Sequence, residues 1–185
     1  RAWLDLGLTL SYNSLVWSKS NNSIWFNADN GFPGPGFRLG FPVMQQRAFN
    51  PQTGKQAYLL IQSDGSHVEL RQVGSSSYYE AADSSHLVLD ETTMIARTSD
   101  GTQLSYVMYG GEFHCTKILD RNGNFISATY NADGGINTIT DTLNRVLTFN
   151  YTSGSLTSIT QPWSGGAHNW ARFEYNNTTP IDFNF

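Results

Sequence analysis

Asp120-Arg-Asn-Gly-Asn-Phe-Ile-Ser-Ala-Thr-Tyr130-Asn-Ala-Asp-Gly-Gly-Ile-Asn-Thr-Ile139-Thr140 runs directly into Asp141-Thr-Leu-Asn-Arg-Val-Leu-Thr-Phe-Asn-Tyr151-Thr-Ser-Gly-Ser-Leu-Thr-Ser-Ile159-Thr160. Written one above the other, Asp120 falls on Asp141 and Tyr130 on Tyr151 at a spacing of 21, and Ile139 falls on Ile159 at 20. The missing residue is one position of a turn, where length varies at least cost. Gly123, Gly134 and Gly154 punctuate the two copies. A weaker copy precedes them with Asp100, Tyr109 and Ile118, and a degenerate one follows at Phe173-Glu174-Tyr175. An internal period near 20 signals stacked supersecondary units.

Period-2 alternation tells what each unit is. Ile126, Ala128 and Tyr130 share one face of a strand, and Leu147, Phe149 and Tyr151 take the same places in the next copy. Neighbouring units therefore build one continuous apolar stripe, while Ser127, Thr129, Thr148 and Asn150 face the other way. Each tyrosine ends its strand before a Gly-containing turn, with its hydroxyl expected to reach water or a turn backbone group. Turn formers recur from Asp64 onward mostly every nine to twelve residues, the beat of short strands in an all-β sheet. The expectation is an antiparallel sheet of successive β-hairpins, one per unit, with two-residue primed turns at Asn122-Gly123 and Asp100-Gly101.

Composition agrees with this. Charged residues make up 14% against roughly 25% in an average domain, and five Glu and three Lys are too few for a helical bundle. Intrinsic disorder is excluded by 39% hydrophobic residues including 11 Phe, 9 Tyr and 5 Trp, because a chain of this length can bury about 70% of its unfolded surface. A net charge of −4 supplies no basic stripe for nucleic acid or anionic membrane. No apolar run approaches a membrane span, and the start at Arg1 carries no charged-then-apolar signal segment, so the chain reads as a piece cut from a longer one. Cys115 stands alone, which excludes an internal disulfide and a cysteine-based zinc site.

The first third reads differently, and residues 1–60 are set apart as N-terminal strands plus an irregular loop, with 61–185 as the repeat sheet. Leu4, Leu6, Leu8, Leu10 and Tyr12 alternate through Trp3–Trp17 as the buried face of a strand. Phe32-Pro-Gly-Pro-Gly-Phe37 forbids regular pairing. Gly34, Gly36 and Gly40 lack the spacing and following helix of a dinucleotide site.

The pattern Gly123…Tyr130-Asn-Ala-Asp-Gly134-Gly-Ile136…Ile139 resembles the tyrosine-aspartate (YD) repeat of the rearrangement-hotspot (RHS) proteins. The resemblance is specific over Asp100–Thr160, with units at 100–119, 120–140 and 141–160 and a degenerate one at 161–177. It extends suggestively to Leu8–Pro42, through Leu10-Ser-Tyr-Asn-Ser14 and Gly36-Phe-Arg-Leu-Gly-Phe-Pro42. Asn131 and Thr152 depart from it, standing where the family often has Asp. The resemblance implies a sheet coiling into a hollow shell that encloses a toxic polypeptide in secreted or surface-delivered bacterial proteins. It implies no enzyme activity and no cofactor, with the remaining repeats and the enclosed polypeptide as partners. The family's self-cleaving aspartyl motif has no match here, and the repeats are too few to close a shell. A piece of wall, or a small relative with an open sheet, is expected, with half an apolar face uncovered and strand edges prone to self-association.

Chemistry-bearing residues are sparse. His67, His86, His114 and His168 lack metal-ligand spacings, and Asp120, Asn122 and Asn124 begin a calcium-like loop that no acidic residue closes. Asp64, Asp100, Asp120 and Asp141 each sit where an aspartate accepts turn N–H bonds. The binding candidates are aromatic. Trp163 and Trp170 flank Gly165-Gly166, and Trp17 and Trp25 flank a polar run, so indole faces stacking on sugar rings make a carbohydrate-binding or adhesive domain the alternative.

Overall fold

The structure is a computed structural model that describes residues 4, 7–13, 17–20, 23–26, 31–50 and 54–175, with the side chains of 17–20, 23–26, 48–50 and 55 outside the description. Every described element is a strand and every pairing is antiparallel. Four short strands come first, β1 (Leu10–Tyr12), β2 (Trp17–Ser20), β3 (Ser23–Phe26) and β4 (Phe37–Leu39). The main sheet holds β5 (Val43–Asn50), β6 (Lys55–Ile61), β7 (His67–Gln72), β8 (Tyr78–Ala81), β9 (Val88–Asp90), β10 (Ile95–Arg97), β11 (Gln103–Tyr109) and β12 (Glu112–Leu119). It continues through β13 (Phe125–Tyr130), β14 (Ile136–Asp141), β15 (Val146–Thr152), β16 (Ser155–Trp163) and β17 (Gly166–Arg172).

The sheet is not open at its first end. Each strand from β5 to β12 pairs with the next, and β12 returns to β5 through Phe113↔Met44 and His114↔Val43, closing an eight-stranded barrel. Eight strands leave an interior that side chains can just fill. Alternate residues do so: Tyr58 and Leu60, Val68 and Leu70, Tyr79, Leu89, Leu104 and Tyr106 point inward with Met44 and Cys115. The polar tips of Tyr58 and Tyr79 reach one carboxylate, donating to Glu91 Oε1 and Oε2 at 2.7 and 3.2 Å. Since β5 and β6 belong to this barrel, the irregular first part ends at Pro42 and not near residue 60.

β12 is also where the second sheet begins. Its first half pairs with β5, and its second half with β13 through Lys117↔Ser127, Ile118↔Ile126 and Leu119↔Phe125. The changeover is at Cys115, whose N–H still donates to Pro42 at 3.2 Å and whose carbonyl is taken by the Tyr130 hydroxyl at 2.6 Å. The next units repeat this strap, Tyr151 donating to the Ile136 carbonyl at 2.5 Å and Tyr175 to the Leu156 carbonyl at 2.9 Å. Each tyrosine thus bonds the strand backbone of the preceding unit, not water or its own turn. The register shift just before Tyr130 and Tyr151 is a β-bulge in the partner strand, at Asn137 and Thr157, and it re-aims the pairing at the rings.

Register also corrects one sequence equivalence. Tyr130 lies opposite Ile136 and Tyr151 opposite Leu156, each after its bulge, and in the first unit the residue so placed is Tyr106, opposite Cys115. Tyr109 belongs to a hairpin extension closed by Gly110-Gly111, both at positive φ. Tyr106 has no unit before it, and its buried hydroxyl has no hydrogen-bond partner among the described residues.

The turns differ in type from expectation. Gln62–Ser66, Thr98–Thr102, Asp120–Asn124, Asn131–Gly135 and Asp141–Arg145 share one five-residue form, in which the first N–H bonds the fifth carbonyl and the fourth N–H bonds the first carbonyl. Its fourth residue is left-handed, at φ 83°, 89°, 86°, 89° and, at Asn144, 58°. Asn122-Gly123 and Asp100-Gly101 are therefore pieces of a type I turn with a glycine bulge rather than primed two-residue turns. The aspartates act as expected: Asp64 and Asp100 accept the fifth N–H, and Asp120 and Asp141 accept both the third and the fifth. Hydrogen bonds from Ser66, Thr98 and Asn124 hold Asp64, Asp100 and Asp120 below the usual carboxylate range.

The apolar stripe of the repeats is buried as read, with Ile126, Ala128, Ile139, Phe149 and Ile159 forming a second core. The chain itself covers much of it, because Leu4, Leu8, Phe32, Leu39 and Phe41 pack onto this face. Of the long first strand expected over Trp3–Trp17, the described residues before β2 form only β1, paired with β4; Leu6 lies outside the described residues, and Leu10 and Tyr12 are 46% and 55% exposed. Leu10 lines the groove over the stripe, and the Tyr12 ring lies 4.7 Å from that of Phe37.

Tyr130→Phe and Tyr151→Phe keep the rings and remove only the straps. Each is expected to cost about 1 kcal/mol in urea unfolding, within the usual range for one neutral hydrogen bond. A loss indistinguishable from zero in both would show that water replaces the hydroxyl and that the straps do not hold the units together.

Candidate functional site

Two places gather the side chains with chemistry. One is the junction of barrel, second sheet and N-terminal segment. Strand alternation puts Glu112 and His114 on the same face of β12, and β4 brings Arg38 beside them, around a cavity of about 190 Å³ bounded by the Asp133-Gly134-Gly135 turn and Tyr130. Gln45 donates to Glu112 Oε1 at 2.5 Å. His114 is 8% exposed, with its ring 4.9 Å from that of Tyr130 and 6.1 Å from that of Tyr109. Gly134 is required here, since a Cβ at its φ of 89° would lie 2.9 Å from His114 Nε2. Gly110 likewise lets the β11–β12 turn approach the Asp133 carbonyl, which a Cβ would meet at 2.9 Å.

Burial holds Arg38 below its ordinary pKa against the opposing pull of Glu112. Burial also lowers His114; Glu112 and a backbone bond at Tyr109 oppose the shift, and Arg38 adds to it. The one anion of the trio therefore compensates Arg38 while the imidazole is neutral. The group brings β4, β12 and the Asp133–Gly135 turn to one buried cavity. No cluster of His, Cys, Asp and Glu able to hold a metal occurs among the described residues. Burial pushes the Cys115 thiol up to about 12, so it packs as a small hydrophobe.

The other place is the outer end of the β16–β17 hairpin. Trp163 and Trp170, singled out in the sequence, come together here at 63% and 57% exposure, with His168 between them. The ring centroids are 5.9 Å apart from Trp163 to His168 and 4.7 Å from His168 to Trp170. Trp170 sits in the register shift between Ile159↔Ala171 and Thr160↔Asn169, and its Nε1–H donates to Gln161 Oε1 at 2.9 Å. A groove of about 630 Å³ runs from Trp170 and Gln161 over Leu147 and Ile159 to Leu4 and Leu8.

Trp17 and Trp25 lie in the paired strands β2 and β3, but their side chains fall outside the described residues. Sequence reading missed His168, Gln161 and the whole junction. The signal for the first two was there, since Gln161-x-Trp163 and His168-x-Trp170 alternate on either side of a turn and so share a face. Nothing local pointed to Arg38 meeting Glu112, 74 positions away in the chain.

No protein-family model matches the chain, and no curated protein matches it.

The sign of the pH dependence follows from the lowered imidazoles. His114 and His67 both have folded pKa values below the ordinary 6.5, His67 through burial and then Arg38 and Arg47, so the unfolded chain binds more protons on acidification. Stability is expected to be complete above about pH 6.5 and to fall as pH drops below it. Urea midpoints between about pH 7.5 and 5.5 measure this, and His114→Asn is expected to flatten the decline, leaving the His67 share. An unchanged slope in the variant would remove His114 from the account.

Proposed function

We propose that this chain is a non-enzymatic structural module of the RHS type, a stretch of β-repeat wall built to enclose a polypeptide. The supporting observation is the strap in which Tyr130, Tyr151 and Tyr175 each bond the backbone of the unit before. Such units add to one another in series, each burying its stripe against the next. The barrel caps the first end of the series, and growth proceeds from β17, which among the described residues is paired on one side only.

The apolar face already carries side chains from the chain's own N-terminal part, Leu4, Leu8, Phe32 and Phe41, in keeping with a wall whose inner side lies against protein. The turn aspartates are engaged by backbone N–H groups, a use that calls for no catalytic role. The partners in this reading are further repeats of the same parent protein and the enclosed polypeptide, in a secreted or surface-delivered setting.

An exposed edge without lysine in β17 favours association. Light scattering over a concentration series is expected to show mass rising with concentration, and amide exchange in β17 is expected to be faster than in β13. A monomer at high concentration with equally slow exchange in both strands would mean that the series ends at β17 and would overturn the wall reading.

A further inference from the structure

We propose that the outer end of the β16–β17 hairpin is a carbohydrate-binding site for neutral pyranose chains, formed by Trp163, His168 and Trp170 with Gln161 and the adjoining groove. Alternation along β16 places Gln161 and Trp163 on the same face as the buried Ile159. Along this face the character of the surface changes abruptly. Through Ile139, Leu147 and Ile159 it is aliphatic, and from Gln161 to Trp170 it holds no Val, Ile, Leu, Met or Phe. A seat for an apolar β-strand would continue the aliphatic row. Aromatic planes set among amide and imidazole groups suit a ligand with apolar C–H faces and a hydroxyl rim.

The rings are presented for stacking. The bond from Trp170 Nε1 to Gln161 Oε1 fixes the indole by its polar edge, and with the His168 ring beside it the residue is still 57% exposed. The Ser164-Gly165-Gly166 turn offers little side-chain bulk to block approach along the hairpin end. Two exposed indoles in one patch of a soluble domain mark a contact surface more often than chance. The adjoining groove, at about 630 Å³, falls within the range of about 300–1,000 Å³ typical of ligand sites.

The nearby charges are paired off. Arg145 Nη2 lies 2.5 Å from Asp141 Oδ2, and Arg172 Nε lies 3.4 Å from Glu174 Oε1. With neither sign in excess, the surface selects neutral sugars over sulfated or uronic ones, and the paired side chains remain able to bond hydroxyls. Its test is separate from that of the wall reading, since it reads sugar binding and not mass or amide exchange.

The test is native affinity electrophoresis of the chain through gels containing hydroxyethyl cellulose, soluble starch, galactomannan or laminarin. Tryptophan fluorescence titration with the matching hexasaccharides accompanies it. At least one polymer is expected to retard the protein. Trp163→Ala and Trp170→Ala are each expected to weaken binding about tenfold, the scale of one stacked aromatic contact, with unchanged thermal unfolding. Trp170→Phe, which keeps a ring, is expected to retain part of the affinity. The proposal fails if none of the four polymers retards the chain or if retardation survives both alanine variants. It fails equally if a peptide of alternating Val and Thr shifts the fluorescence while every hexasaccharide leaves it unchanged, which would assign the surface to polypeptide.

Discussion

Strand β12 has one edge on β11 and must share the other between two partners, β5 for its first half and β13 for its second. A backbone group at such a changeover has no regular ladder to join, and a buried carbonyl left without a partner costs about 1–3 kcal/mol. The Tyr130 hydroxyl supplies the partner for Cys115, and with that bond the barrel and the second sheet can diverge from one strand. Everything after residue 120 is placed by this arrangement. The same bond recurs in the next unit between Tyr151 and Ile136, where no fork exists, so a device for extending a repeat also serves for branching a sheet.

The fork is braced from its other side by the junction of Arg38, Glu112 and His114. Two glycine-bearing turns, at Gly110 and at Gly134, approach one another closely there, and the space that a Cβ would need at Gly134 is occupied by the imidazole. Glu112 accepts from Gln45 of β5 and opposes the lowering of the Arg38 pKa by burial, so β4, β5 and β12 meet around one carboxylate.

The two cores follow different rules. The barrel fills its own interior, and two of its three buried tyrosines, Tyr58 and Tyr79, end on a single glutamate. The second sheet buries only one face and depends on Leu4, Leu8, Phe32 and Phe41 for part of its cover. Its aliphatic stripe runs into the last hairpin as far as Ile159 of β16, and the exposed aromatic patch begins beyond it. The inner part of that hairpin supplies Leu156, Ile159 and Ala171 to the core, while its outer end, with Trp163, His168 and Trp170, stays exposed.

What the sequence determined by itself is the local part: strands rather than helices, a hairpin in each unit, turn aspartates bonded to backbone, and one buried face from Ile126 to Ile159. These rest on period, side-chain alternation and turn chemistry, which act over a few residues. The barrel closure came only with tertiary structure, because β5 meets β12 across about seventy residues and no local pattern records which strand returns to which. The place of Tyr106 in the tyrosine series was likewise decided by register, since a hairpin lengthened by three residues moved Tyr109 to where the spacing alone had put the repeat tyrosine. The partners of the tyrosine hydroxyls, the cover over the second core, and the meeting of Arg38 with Glu112 belong to the same class. Each is a contact between distant segments, and the physical reason is that a side chain's reach is set by its own strand while its partner is set by the path of another.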